Sequence, residues 1–366
     1  MHRPAVLFGG PSPEHDVSIL LGLLAARALA DDGQEVDALY WTKGGDFFAV
    51  DPGLEAEAFL EGPPAKKRRA RLHEGGFVVE AGGLAKRKPL ETSVVVNCCH
   101  GGPGEDGTLQ GALDLAGVRY TGPSAAGAAL GMDKLAFAAV VCAAGLPHLP
   151  VALVDPGAGA PFAGPYIVKP RFGGSSIGIE VFEDWESVSA FVASPQPHLR
   201  SGAVVEPYRS GSYDLNIALR TYPQLALSAI EKPLRATAGA TILDYRDKYV
   251  GGQGMISAPR ELPAEIPAAW EAEVRSTATR IAGLASVRGV ARIDFLVDAD
   301  QIYVNEINTI PGSLSKYLWI DPPVPMATLV RDMISEATDG PVRAYVTQGA
   351  DGSALRSAGS ISAKLG

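Results

Sequence analysis

The stretch from Val290 to Pro311 constrains the fold most. Two runs rich in Val, Ile and Phe, residues 290–297 and 302–308, flank the polar tetrad Asp298-Ala299-Asp300-Gln301. Runs of that kind joined by a short polar break predict a β-hairpin. Alternate residues of a strand share a face, so Arg292 and Asp294 point one way together, as do Glu306 and Asn308. Pairing the strands then brings two carboxylates, one amide oxygen and one guanidinium onto a single surface. Oxygen-only donors suit Mg²⁺ or Mn²⁺, and an adjacent Arg suits phosphate. A half-solvated hairpin face can show the same alternation, so the reading needs support from elsewhere in the chain.

Glycine-rich turns supply that support. Pro4 to Phe8 reads as a buried strand running into Gly9-Gly10-Pro11-Ser12-Pro13, followed by helical spacing from Val17 to Ala30 and a strand from Glu35 to Tyr40. This βαβ rhythm predicts a parallel sheet. Ser93 to Cys99 is a further buried strand, leading into His100-Gly-Gly-Pro-Gly-Glu105-Asp106-Gly107 and a helix from Thr108 to Ala116. Four glycines there allow close backbone approach to a ligand. A break near Thr121 to Ala125 precedes a helix carrying Met132-Asp133-Lys134. Then come Tyr166-Ile-Val-Lys169-Pro170 and the loop Gly173-Gly174-Ser175-Ser176. A strand, Ile179 to Phe182, follows that loop; P-loop and Rossmann sites both need a helix there, so both readings fail. A flap between antiparallel strands can still fold its amides and hydroxyls over phosphate oxygens, with Lys169 as the fixed positive charge.

Composition bounds the remainder. A chain of 366 residues with 46% hydrophobic and 20% charged content suggests a soluble protein of two or three domains. A net charge of −9 argues against nucleic-acid partners, so any anionic ligand is held by local groups. Cys98, Cys99 and Cys142 make no disulfide framework. No apolar run approaches about 18 residues, and Met1-His-Arg-Pro leads straight into a strand, so neither membrane span nor signal peptide is expected. The expectation is a cytoplasmic protein. Residues 61–75, with Lys66-Lys67-Arg68-Arg69, read as a basic solvated connection.

In order, Gly9 to Ser18, His100 to Gly111, Tyr120 to Ser124, Met132-Asp133-Lys134, Val168-Lys169-Pro170 with its flap, Asp244 to Tyr249, and Arg292 to Pro311 resemble the D-alanine–D-alanine ligase family of the ATP-grasp superfamily. The resemblance covers residues 3 to 335, and seven segments in one order make it specific. It implies a three-domain α/β architecture: a Rossmann-like domain over 1–123, a central lobe over 124–205, a C-terminal lobe with the metal site over 206–340, and a flexible tail over 341–366. ATP would lie between the two lobes. The family's chemistry has two steps. The carboxylate of one amino acid attacks the γ-phosphate, and the amine of a second displaces phosphate from the acyl phosphate.

Carried over residue by residue, Lys134 and Lys169 would hold the α- and β-phosphates and Lys248 would approach the γ-phosphate. Ser175 and Ser176 belong to the phosphate-covering flap, and Glu206 to the nucleotide-contacting segment. Asp294, Glu306 and Asn308 would bind two Mg²⁺ or Mn²⁺ ions. Arg292 would steady the acyl phosphate, and the Gly312 N–H the oxyanion. Glu14, bonded to Ser175 and through it to Tyr249, would take the first ammonium, with His100 in the substrate pocket. The flap and the 244–258 loop are expected to close over the nucleotide. The family resemblance also implies a homodimer acting on small amino acids.

Two departures stand out. Gly211-Ser212-Tyr213-Asp214 replaces the usual Gly-x-Glu, leaving Asp214 or Tyr213 to contact the ribose; strand alternation favours Asp214. After Gly312 the chain reads Ser313-Leu314-Ser315-Lys316-Tyr317-Leu318-Trp319, with Tyr317 where the family has a Ser that binds the acceptor carboxylate. Lys316 or Ser315 would then have to supply a donor. A relative joining a different amino or hydroxy acid in a specialised-metabolite pathway is therefore the alternative to a cell-wall dipeptide ligase. A non-catalytic ATP-binding regulator is a third reading, opposed by the complete metal set.

Overall fold

The computed structural model describes residues 3–81, 86–234, 259–299, 301–340 and 345–365. Its first sheet has seven strands: β1 (Pro4–Gly9), β2 (Asp37–Trp41), β3 (Phe47–Val50), β4 (Arg68–His73), β5 (Gly76–Ala81), β6 (Lys86–Pro89) and β7 (Val94–Asn97), in the order β6-β5-β4-β3-β2-β1-β7. Only β2, β1 and β7 pair in parallel; β2 through β6 form an antiparallel meander. The parallel part is what the βαβ spacing predicts, with α1 (His15–Asp31) as its crossover. The meander corrects the reading of residues 61–75 as a solvated connection. Ala70 is buried on β4 and Leu72 half-buried, while Arg69 and Arg71 face out and pair with Asp46 and Glu80. Charge on one face hid an ordinary half-buried strand.

Beyond α2 (Thr108–Leu115), α3 (Ala125–Met132) and α4 (Lys134–Ala143), the second sheet contains β8 (Ala152–Leu153), β9 (Tyr166–Pro170), β10 (Glu180–Phe182) and β11 (Ala203–Pro207), in the order β10-β9-β11-β8 and wholly antiparallel. Helix α5 (Trp185–Ala193) covers it, capped by Asp184, whose side chain accepts from the Ser187 N–H. The third sheet runs β14-β13-β12-β15-β16, from β12 (Tyr213–Arg220), β13 (Ala226–Pro233), β14 (Arg260–Glu261), β15 (Val290–Asp298) and β16 (Gln301–Asn308). Helix α6 (Ala268–Leu284) packs on it through Val274, Ala278 and Ile281, against Leu215, Ile217 and Ile293. Each such fully buried aliphatic side chain contributes roughly 1.5–3 kcal/mol.

Helix α7 (Met326–Asp339) returns to the first sheet. Leu329, Val330, Met333 and Ile334 share a core with Val6, Ile19, Leu29 and Val96. Arg119 fastens the end of α7 by donating to the carbonyls of Ala337 and Gly340 at 2.9 and 2.7 Å. The same core takes in Ile310, Leu314, Leu318 and Trp319, so the turn after β16 is pinned between first and third sheets. The segment read as a tail carries two short helical turns, Ser353–Ser357 and Ile361–Leu365. No helix among the described residues is long and apolar enough to cross a membrane.

Candidate active site

The β15–β16 register sets Arg292 opposite Asn308 and Asp294 opposite Glu306. Ile293 and Ile307, on the other face, are buried in the third sheet's core. Period-2 alternation thus splits the hairpin into an apolar face and a polar one. Arg292 grips Asp294 with two bonds, Nε to Oδ1 at 2.6 Å and Nη2 to Oδ2 at 2.7 Å, and the Asn308 amide donates to Asp294 Oδ2 at 3.0 Å. The register slips between Asp294 and Phe295. The bulge leaves Asn305 free to turn toward the cavity, where its Oδ1 accepts from Lys169 Nζ at 3.2 Å. Alternation alone does not reveal Asn305.

Two cavities meet at this face. The larger is lined by Lys134, Lys169, Ser176, Glu206, Asp214 and Asp294, among others. The smaller is lined by Glu14, His100, Glu105, Asn308 and Gly312, among others. Lys134, Ser175, Arg292 and Glu306 line both. In the larger cavity each cation already faces a carboxylate: Lys169 bonds Glu206 at 2.8 Å, and Lys134 lies 3.7 Å from Glu306. Lys134 projects from the start of α4, whose N-terminus is capped by Asp133 through the Leu135 and Ala136 N–H groups. Asp133 also holds Arg171 at the root of the flap, through Nε at 2.8 Å and Nη2 at 2.5 Å. On β12, Asp214 lines the cavity, whereas the neighbouring Tyr213 ring sits 5.0 Å from Lys232 Nζ.

Ser175 and Ser176 both take positive φ, and the Ser175 hydroxyl donates to Glu14. Glu14 precedes α1 but its side chain makes no capping bond; it points into the smaller cavity instead. Room for it is made by Gly101 (φ +64), where a Cβ would stand 2.4 Å from Glu14 Oε2. The His100 N–H donates to Ser18 Oγ at 2.7 Å. Burial first, with Arg292 nearby, lowers the His100 imidazole to about 4, so it is neutral at pH 7. Burial, then the neighbouring Glu14 carboxyl, pushes Glu105 up to about 7, against hydrogen bonds that favour its charged form. Those bonds come from Gly101 N at 2.9 Å, Ile310 N at 2.9 Å and Thr309 Oγ1 at 3.2 Å. Glu105 therefore ties the glycine turn of the first sheet to the turn carrying Gly312. Glu105 stands in the glycine-rich motif, but its role is visible only once the two turns are brought together.

Gly312 opens a seven-residue helical turn in which Ser313, Leu314 and Ser315 all adopt left-handed backbone. That turn buries Ser315 and puts Lys316 on the surface. Neither Ser315, Lys316 nor Tyr317 lines the two cavities. Lys316 is thus poorly placed to supply the donor expected of it, because the left-handed residues rotate its neighbours inward and itself outward. Lys248 and Tyr249, with the rest of the 244–258 loop, lie outside the described residues.

The donor set of Asp294, Glu306 and Asn308 is chemically that of a hard divalent cation: two carboxylates and an amide oxygen. Among the described residues no group of three or more His, Cys, Asp or Glu side chains is placed to hold a metal ion, so the amide is a needed member. Asp294 already faces a positive group in Arg292, so a cation there would replace one positive neighbour with another.

Comparison with known proteins agrees with the geometry. Residues 3–123 match the family model described as D-ala D-ala ligase N-terminus, and 159–335 the one described as D-ala D-ala ligase C-terminus. A D-alanine–D-alanine ligase of Nocardia farcinica is 32% identical over 360 residues, covering 92% of this chain and 96% of the relative. One from Mycobacterium bovis is 31% identical over 360 residues, covering 92% and 95%. Among solved structures, D-alanyl-alanine synthetase A of Vibrio cholerae superposes with a TM-score of 0.75 at 21% identity, covering 93% and 100% of the two chains. The VanG D-Ala:D-Ser ligase of Enterococcus faecalis gives 0.73 at 22%, covering 92% and 99%. At such identity these structures speak to the ATP-grasp fold alone.

Proposed function

The chain belongs to the D-alanine–D-alanine ligase family, and we propose that it joins two D-alanine molecules with conversion of ATP to ADP and phosphate. The observation that carries this reading is the meeting of the two cavities at Arg292 and Glu306. One side offers lysines to phosphates; the other offers Glu14 to an ammonium. A γ-phosphate from the first and a carboxylate from the second would come together beside Arg292.

Lys134 and Lys169 would exchange their carboxylate partners for α- and β-phosphate oxygens, with Glu206 and Asp214 on the nucleoside side. Ser175 and Ser176 close over the phosphates, and Lys248 with Tyr249 belong to the same proposed set. The first D-alanine binds through its ammonium to Glu14, with His100 neutral beside it. Its carboxylate oxygen attacks the γ-phosphorus as the bond to ADP breaks, giving an acyl phosphate. The second amine then attacks the acyl carbon, the C–O bond to phosphate breaks, and inorganic phosphate leaves. Arg292 offsets charge on the transferring group, and the Gly312 N–H on the tetrahedral oxygen. Asp294, Glu306 and Asn308 would hold two Mg²⁺ or Mn²⁺ ions, which supply Lewis-acid neutralisation of phosphate charge when bound.

The D-alanine–D-alanine ligases similar to this chain match across nine tenths of it, which favours D-alanine as acceptor over the alternatives raised above. A cytoplasmic homodimer serving peptidoglycan synthesis belongs to the same proposal, on the family resemblance. Phosphate release from ATP and Mg²⁺ with pairs of D- and L-amino acids tests it. Turnover should be largest with D-alanine alone and should yield ADP; AMP and pyrophosphate as products would overturn it.

A further inference from the structure

The root of the flap is fastened to the helix that aims Lys134. Asp133, the N-cap of α4, accepts from the Leu135 and Ala136 N–H groups through Oδ1. The same carboxylate takes the Arg171 guanidinium as a fork, Nε to Oδ1 at 2.8 Å and Nη2 to Oδ2 at 2.5 Å. Backbone groups join the same two segments. The Lys134 N–H donates to the Arg171 carbonyl at 3.1 Å, and Asp133 pairs with Phe172 as an isolated β-bridge. Lys134 Nζ then reaches forward to the Gly173 carbonyl at 2.5 Å while standing 3.7 Å from Glu306. Two residues further along the flap, Ser175 bonds Glu14.

Neither Asp133 nor Arg171 lines either cavity, so both act from behind the site. Their side chains are 12% and 29% exposed, and a lone ion pair at that exposure adds little stability. The two-bond geometry is the informative part, because a fork fixes direction as well as distance. The guanidinium also packs 5.0 Å from the centre of the Phe172 ring, which holds it from the side. Beyond this anchor Gly173 and Gly174 give the backbone wide conformational freedom. An ammonium has three N–H donors, so Lys134 can keep the Gly173 carbonyl and take a phosphate oxygen at once.

We propose that Arg171 is a positioning residue that makes flap closure follow phosphate binding at Lys134. The Asp133–Arg171 fork holds the flap root to α4, so the lysine that meets the phosphates also carries the flap over them. This rests on the chain's being a ligase that passes through an acyl phosphate, with Lys134 on the nucleotide. The consequence is protection of that intermediate. With the flap seated, the acyl carbon meets only the second amine. With it loose, water attacks the same carbon, the C–O bond to phosphate breaks, and free D-alanine and phosphate leave with no dipeptide made.

The ratio of ADP to dipeptide, measured on the full-length protein with ATP, Mg²⁺ and D-alanine, reads that loss. Arg171→Met keeps the stem beside Phe172 and removes the fork. Asp133→Asn keeps a capping oxygen for α4 and removes the second carboxylate oxygen. Each should raise the ratio from one in the parent to about two or more. Arg171→Lys, which keeps charge without the fork, should lie between. A merely structural role lowers the melting temperature or the amount of active enzyme and leaves the ratio at one. Hydrogen exchange over residues 173–178 is a second readout that needs no turnover. A non-hydrolysable ATP analogue should slow it in the parent and slow it much less in Arg171→Met. A ratio unchanged from the parent's in either variant overturns the inference, as does equal slowing of exchange in parent and Arg171→Met. Parent protein that releases no ADP with D-alanine overturns the proposed function, and the exchange comparison then still decides whether the fork couples flap to nucleotide.

Discussion

The two cavities handle charge in opposite ways. On the proposed nucleotide side cations stand in salt bridges, Lys169 with Glu206 and Lys134 with Glu306. On the amino-acid side burial outweighs pairing: His100 is driven down to about 4 and Glu105 up to about 7. In the proposed function the first arrangement would let phosphate oxygens replace carboxylate oxygens around a lysine. The second lowers the charge around it, so a substrate ammonium and carboxylate, which the proposed function sets against Glu14 and Arg292, would dominate the local field. A ligase needs both, because one reactant arrives as a polyanion and the other as a zwitterion.

The largest effect is expected at Glu306, which lines both cavities. Glu306→Gln should lower turnover by at least about a thousandfold, since a neutral amide would not replace the anionic ligand proposed for the metal. Activity within tenfold of the parent would remove it from the proposed metal set. A second break concerns the nucleotide side. Lys169→Met leaves the Glu206 carboxylate buried without its partner and should cost about 3–5 kcal/mol of stability. Adding Glu206→Gln should restore the melting temperature without restoring ATP binding. Recovery of both would mean the pair is only architectural.

On the amino-acid side the effect is smaller and is read against pH. Glu105 has a folded-state pKa near 7, above its ordinary value of 4.5. Its contribution to stability is therefore complete below pH 4.5 and is lost as pH rises through 7, a change of about 3 kcal/mol. The stability of the parent relative to Glu105→Gln should fall by that amount across the window, in denaturant titrations at fixed pH. His100 works the other way, its contribution complete above pH 6.5 and lost as pH falls through about 4. A Glu105→Gln difference that stays flat with pH would contradict the neutral-surroundings picture.

How much of this was legible beforehand depends on whether a strand keeps its period. Arg292, Asp294, Glu306 and Asn308 were found because uninterrupted alternation puts each pair on one face. Asn305 was not, because the slip between Asp294 and Phe295 is set by pairing, which alternation along one strand does not record. Strand β4 was hidden by its arginines, with only Ala70 and Leu72 turned inward. The docking of α7 on the first sheet joins residues more than two hundred positions apart, such as Arg119 and Ala337, and no local pattern announces it.

In the proposed reaction a carboxylate drawn from one cavity attacks a phosphate drawn from the other. D-alanine labelled with ¹⁸O in its carboxylate, turned over with unlabelled ATP, tests it directly by mass spectrometry of the inorganic phosphate. One ¹⁸O is expected in each phosphate released, because the carboxylate oxygen that attacks phosphorus leaves with it when the amine breaks the C–O bond. Phosphate free of label, or label recovered in AMP, would contradict it.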